Sequence, residues 1–112
     1  MTLYLTEIRR LPEERQFRLT WSDGHHAELD YDYVRGFCPC AMCQGHGSNE
    51  VVYHPPRRPV TPETMEPVGN YGISIVWSDR HATGIYRFDF LRRISDYSQS
   101  RPEGEPLRAV RA

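Results

Sequence analysis

The chain carries one signature twice. Trp-Ser-Asp-x-His begins at Trp21 and again at Trp77, 56 positions later. Each copy runs on into an aromatic-Asp-aromatic-apolar-Arg stretch, Tyr31-Asp32-Tyr33-Val34-Arg35 in the first and Phe88-Asp89-Phe90-Leu91-Arg92 in the second. Two short copies are too few for a solenoid, so the pattern predicts a duplicated supersecondary unit. Ahead of each Trp the residues alternate: Phe17, Leu19 and Trp21 with Arg18 and Thr20, then Tyr71, Ile73, Ile75 and Trp77. Period two with aromatic and β-branched side chains marks a half-buried strand. The Ser-Asp-Gly and Ser-Asp-Arg stretches that follow are turn chemistry, and Asp23-Gly24 suits a tight hairpin turn. Returning strands are expected near residues 26–31 and 82–87, then short helices with Asp32 and Asp89 as candidate N-caps. A further strand near "LYLTEIR" would pair at an edge. The expected fold is α+β: a small single domain of two duplicated β-hairpin-then-short-helix units.

Between the copies lies "HPPRRPVTPETMEP", residues 54–67, with five prolines. Proline lacks the ladder N–H and fixes its own φ, so this stretch is expected as an extended connector. From Ser98 the sequence "SQSRPEGEPLRAVRA" has no apolar pattern and is expected to be mobile. The domain is accordingly placed at residues 1–95, with a flexible tail over 96–112. At 112 residues the chain can bury a modest core of its own, so a metal would assist folding without being its sole support.

All three cysteines fall in "CPCAMC", as Cys38-x-Cys40-x2-Cys43. So tight a cluster is no disulfide framework. The C-x-C and C-x-x-C spacings both turn sulfurs to the inside of one bend, where they can share a metal ion. Three thiolates and one imidazole are a standard closed zinc set. A redox C-x-x-C would leave Cys38 surplus and lacks the expected strand-to-helix context. For the fourth place His46 has the shortest reach, while the duplication offers His81, since packing two related units together could bring the histidine of one turn to the cysteines of the other. Spacing alone does not separate them. His25, His26 and His54 read as turn or surface histidines.

Net charge is −1, which argues against a general nucleic-acid binder, because phosphate neutralisation needs a basic excess. No run approaches the ~20 apolar residues of a membrane helix, and the first residues lack the apolar core of a secretory signal. With clustered, odd-numbered cysteines this points to a reducing cytoplasm. Catalysis has no good candidate. His26-Ala27-Glu28, with a remote histidine such as His54, has the form of a non-haem iron triad, but such tripeptides are common. Asp23 and Asp79 read as turn aspartates bonded to their own backbone. A chain without lysine cannot build a Gly-x-x-x-x-Gly-Lys phosphate loop.

The stretches "WSDGH", "LDYDYVRGFCPCAMC" and "GNYGISIVWSDRHATGIYRFDFLR" together resemble the DUF971 family, the gamma-butyrobetaine hydroxylase-like N-terminal domain, over roughly residues 5–95. The resemblance implies a zinc ion held by Cys38, Cys40, Cys43 and His81, the histidine of the second turn. Arg80 departs from the Gly that the family usually has in that turn. The resemblance also implies a range of settings. The domain stands at the front of carnitine-making oxygenases, whose chemistry belongs to a following jelly roll. It is also attached to P-loop carriers of iron–sulfur clusters in plants, and it occurs as free-standing bacterial proteins. This chain looks like the last kind. Two expectations follow: a non-catalytic structural zinc domain that acts by binding an unidentified protein partner, or an iron–sulfur accessory protein using Cys38, Cys40 and Cys43. Exposed strand edges also admit a homodimer.

Overall fold

The computed structural model describes residues 3–44, 49–82 and 84–111. Its first half is an antiparallel meander of β1 (Leu5–Leu11), β2 (Gln16–Trp21) and β3 (His26–Asp30), followed directly by α1 (Tyr31–Gly36). A short α2 (Ala41–Gln44) and β4 (Glu50–Val52) lead on. The second half repeats the plan with β5 (Pro62–Val68), β6 (Gly72–Trp77) and β7 (Ile85–Arg87), then α3 (Phe88–Ser100). β8 (Ala109–Arg111) pairs antiparallel with β4. No described helix is long and apolar enough to cross a membrane.

The α+β expectation holds, but the repeated unit is larger than a hairpin. Each copy has three strands, and the outer strands match as closely as the inner ones. Leu5 pairs with Trp21 and Pro62 with Trp77, and in both sheets the register slips immediately afterwards, between Leu5 and Glu7 and between Pro62 and Thr64. The expected connector over 54–67 is therefore corrected, since from Pro62 onward it is strand β5. Pro62 and Pro67 are tolerated there because β5 is an edge strand, where half of the N–H groups face no partner. Tyr71 is also corrected: it sits in the turn before β6, exposed, with the Arg87 guanidinium 5.1 Å above its ring.

One core serves both halves. The alternation along the central strands buries Phe17, Leu19 and Trp21 from β2 and Ile73, Ile75 and Trp77 from β6. Helices α1 and α3 close over it with Tyr31, Val34, Leu91 and Ile94. The Phe17 ring meets Tyr31 at 4.8 Å and Trp77, across the seam, at 6.1 Å. Two buried phenols cross the seam as well. Tyr33 Oη donates to the carbonyl of Ile94 (2.7 Å), and Tyr86 Oη donates to that of Val34 (2.9 Å). A buried hydroxyl without such a partner is costly, so the first bond fixes α1 against α3 and the second fixes α1 against β7.

The caps differ from expectation. The N-caps fall two residues early, at Asp30 and Arg87, with no side-chain cap bond. Asp32 instead accepts from the Val60 N–H (2.9 Å), and Asp89 from the Phe90 N–H (2.8 Å). The residues expected as a flexible tail continue α3 to Ser100 and then form β8, whose Val110 is buried. The Tyr97 hydroxyl accepts from the Arg108 N–H (3.1 Å), and Tyr53 N–H donates to the Arg108 carbonyl (2.7 Å). A three-residue strand whose partner lies more than fifty residues earlier leaves no periodic trace.

Candidate metal centre

The two Trp-Ser-Asp-x-His turns are built from the same bonds. In the first, Trp21 N–H donates to the His25 carbonyl (2.8 Å), Gly24 N–H to the Trp21 carbonyl (3.0 Å), and His25 N–H to Asp23 Oδ1 (3.0 Å). In the second, Trp77 N–H donates to His81 (2.9 Å), Arg80 N–H to Trp77 (2.9 Å), and His81 N–H to Asp79 Oδ1 (3.1 Å). The serines are matched too: Ser22 Oγ accepts from Tyr4 N–H and Ser78 Oγ from Thr61 N–H. This turn needs a left-handed residue at its fourth position. Gly24 supplies it at φ +87°, and Arg80 adopts it at φ +68°. The Arg for Gly departure therefore leaves the turn intact, at the steric cost of a Cβ in that region.

His81 is carried by the second turn onto the cysteines that follow α1 of the first unit. Its Nε2 lies 3.1 Å from Cys38 Sγ, 3.3 Å from Cys40 Sγ and 3.4 Å from Cys43 Sγ. The four donor atoms all fall within 4.8 Å of one another. For a tetrahedral zinc ion, bonds of ~2.3 Å to sulfur and ~2.0 Å to nitrogen set sulfur–nitrogen edges of about 3.5 Å, so the donors are compatible with one ion between them. Among the described residues this is the one group of three or more His, Cys, Asp and Glu side chains close enough to share an ion. His46, the alternative on spacing, lies outside the described residues.

The backbone shapes the cysteine loop. Cys38 N–H donates to Arg35 (3.1 Å), and Cys43 and Gln44 N–H both donate to the Cys40 carbonyl (3.1 and 3.0 Å). Gln44 ties the loop to β4, its amide donating to the carbonyls of Cys38 and Val52 and accepting from Val52 N–H (2.8 Å). Gly84 lines the other side. A Cβ there would stand 2.8 Å from Cys38 Sγ and 3.3 Å from the Tyr86 ring, so the sulfur occupies the space that any other residue would fill.

Electrostatics single out the same group. Burial pushes the Cys38 thiol well above its ordinary range, and burial with hydrogen bonding from Cys40 raises Cys43. Burial, with the nearby Arg35 charge, lowers His81 and favours its neutral, ligating form. Three thiolates cannot gather here without a compensating cation. Arg35 is the outer brace: Nη1 stands 3.6 Å from Cys43 Sγ, and Nε 3.0 Å from Asp79 Oδ2, whose other oxygen holds the His81 backbone. Sequence reasoning quoted Arg35 and Asp79 as parts of the repeat but gave neither a role at the site, and it missed Gly84 and Gln44. The only advance signal was that the Arg recurs at Arg92.

The other described histidines are elsewhere. His26 and Glu28 point away from the core on exposed positions of β3, where Glu28 pairs with Arg18 at 3.0 Å, and His54 is exposed on the proline-rich segment. They do not assemble into an iron triad. His25 faces Asp96 of α3, at 3.8 Å.

The profile of the family described as gamma-butyrobetaine hydroxylase-like, N-terminal, matches residues 8–92. The chain belongs to this family. Among solved structures it is similar to a crystal structure of a DUF971 protein of unknown function from Acidithiobacillus ferrooxidans. The two share 33% identity at a TM-score of 0.65, over 82% of this chain and 92% of the other. A protein solved in solution by NMR shares 26% identity at a TM-score of 0.69, covering 87% of this chain and 72% of that one. A second NMR structure, at 20% identity and a TM-score of 0.65, shares the fold over 88% and 77% of the two chains. No curated protein matches this chain.

Proposed function

We propose that this family member is a non-catalytic accessory module, locked by one zinc ion on Cys38, Cys40, Cys43 and His81, that works by binding a partner protein. The observation that carries this reading is the convergence of four donors from both halves of the duplication, within 4.8 Å of one another. Thiolate and imidazole donors suit zinc, and four protein ligands leave no open position for a substrate, which is the mark of a structural site. Such a site contributes ~10–16 kcal/mol of apparent binding free energy at neutral pH, which becomes folding free energy. An iron–sulfur cluster distributes its ligands over several irons and so spaces them more widely than donors within 4.8 Å of one another. Three free cysteines suit a reducing compartment such as the cytoplasm. Net charge of −1 makes nucleic acid a poor partner, and a bilayer is not the proposed partner either.

Metal content by elemental mass spectrometry, with an absorption spectrum, tests the reading on protein purified without oxygen. One zinc per chain without visible absorbance is expected. Iron with sulfide and a brown band would transfer the role to cluster handling. His81→Ala should lower zinc occupancy and thermal stability sharply while His46→Ala does little, and the reverse ranking would give the ligand role to His46.

A further inference from the structure

A cleft of about 620 Å³ opens beside the metal centre. One wall is the segment 54–60, His-Pro-Pro-Arg-Arg-Pro-Val, and the other is formed by Arg35, Cys43, Ser78 and Asp79. Both ends of the segment are tied to the first unit. His54 N–H donates to the Gly36 carbonyl (2.9 Å), while Val60 N–H donates to Asp32 and the Val60 carbonyl accepts from Arg15 Nη2 (2.7 Å). Between these ties, Pro55, Pro56 and Pro59 fix their own φ angles and frame Arg57 and Arg58. Little backbone freedom is left to lose when something binds.

Arg35 is already committed to Asp79 and Cys43. Arg57 and Arg58 are exposed, and no ion pair or hydrogen bond engages either among the described residues. Two adjacent uncompensated guanidiniums thus line the cleft together with Pro55, Pro56 and Pro59. An exposed charge pair contributes at most about 1 kcal/mol, so a free anion would be held weakly here. A peptide can place several carboxylates on the arginines and cover the apolar wall as well, and arginine is favoured at such interfaces. The net charge of −1 gives an acidic ligand no general attraction to this chain, so recognition must be local.

We propose that this cleft docks an acidic peptide segment of a partner protein, its carboxylates on Arg57 and Arg58. The proposal rests on the accessory-module reading and gives it a surface and a ligand chemistry.

The test is fluorescence anisotropy of a labelled octaglutamate peptide titrated with the full zinc-loaded chain. Citrate serves as a source of free carboxylates, and metal content is assayed on every sample. Saturable peptide binding is expected, weakened at least about ten-fold by Arg57→Glu with Arg58→Glu, and unchanged by Arg10→Glu with Arg111→Glu. Arg57→Ala with Arg58→Ala should weaken it in the same direction should the reversal variant fold poorly. Absence of peptide binding by zinc-loaded protein, or an equal loss in the control variant, would overturn the docking site and leave the zinc module standing. Citrate binding as tight as the peptide would overturn the peptide as occupant. A chain without zinc would instead strike at the reading beneath it.

Discussion

The Arg35 guanidinium stands 3.0 Å from Asp79, and 57 positions on, Arg92 stands 3.0 Å from Asp23. Each arginine ends the helical signature of one unit and reaches the turn of the other. The exchange is reciprocal, yet its two ends have diverged. At the Arg35 end three cysteines follow the helix and receive His81. At the Arg92 end α3 continues, Ser95 bonds back to the Leu91 carbonyl at 2.8 Å, and His25 meets Asp96. One seam position gathers four donors compatible with a shared metal ion, and at its counterpart Arg92 pairs with Asp23 and Asp96.

The divergence makes the two arginines separable by experiment. Arg35→Met removes the brace between Cys43 and the turn that positions His81. Loss of an outer contact of this kind weakens metal binding about 10- to 100-fold. Arg92→Met should lower thermal stability slightly and leave metal affinity unchanged. Competition against a chromophoric chelator reads both. Equal losses of affinity would show that Arg35 acts only through general stability.

Much of this was legible because it is local. Strands β2 and β6 announce themselves by alternation, and the turns by Ser-Asp with Gly24 or its substitute Arg80. What stayed hidden depends on partners distant in sequence. Strand β5 was masked by Pro62 and Pro67, whose edge position cannot be known from the segment itself. Strand β8 is defined by pairing with β4 rather than by its own three residues. The caps were misplaced by two residues because Asp32 looked like a cap while its carboxylate serves Val60 across the fold. Gly84 carries no signal at all until Cys38 is seen against it. The choice between His46 and His81 likewise turns on how two units pack, which spacing does not encode.

Loading the site should expel protons. In the metal-free protein burial raises Cys38, and burial with Cys40 raises Cys43, whereas burial lowers His81 and favours its neutral form. Zinc binding at pH 7.5 is expected to release at least the protons of Cys38 and Cys43, read by calorimetry in buffers of different ionisation enthalpy. The sign for the metal-free fold follows from the same shifts. Folded thiols hold protons more tightly than unfolded ones, so this contribution is fully present below the unfolded thiol pKa of about 8.5 and is lost as pH rises beyond it. Metal-free protein that gains stability between pH 8 and 10 would contradict these directions.

Arg80→Gly should stabilise the protein. A side chain at φ +68° costs about 1–2 kcal/mol, and relief is partly offset by the greater freedom of glycine in the unfolded chain, about 0.4–1 kcal/mol. The net expectation is a gain of roughly 0.5–1 kcal/mol by denaturant titration, with zinc content unchanged. Gly24→Arg in the first turn is the mirror experiment and should lose a similar amount.

Gly84→Ala probes the centre without touching a ligand. The added methyl would stand 2.8 Å from Cys38 Sγ, and since Cys38 is fully buried, the sulfur has nowhere to retreat but toward the other donors. Overpacking of this kind costs about 1–3 kcal/mol. Here the cost should fall on the metal-bound form, because the displaced atom is a donor whose distance to the ion is fixed within tenths of an ångström. The expected result is a weaker zinc affinity by chelator competition, together with a smaller difference in melting temperature between loaded and metal-free protein. If instead both forms lose stability equally and affinity is retained, Gly84 is ordinary core packing and the space beside Cys38 is not reserved for the metal.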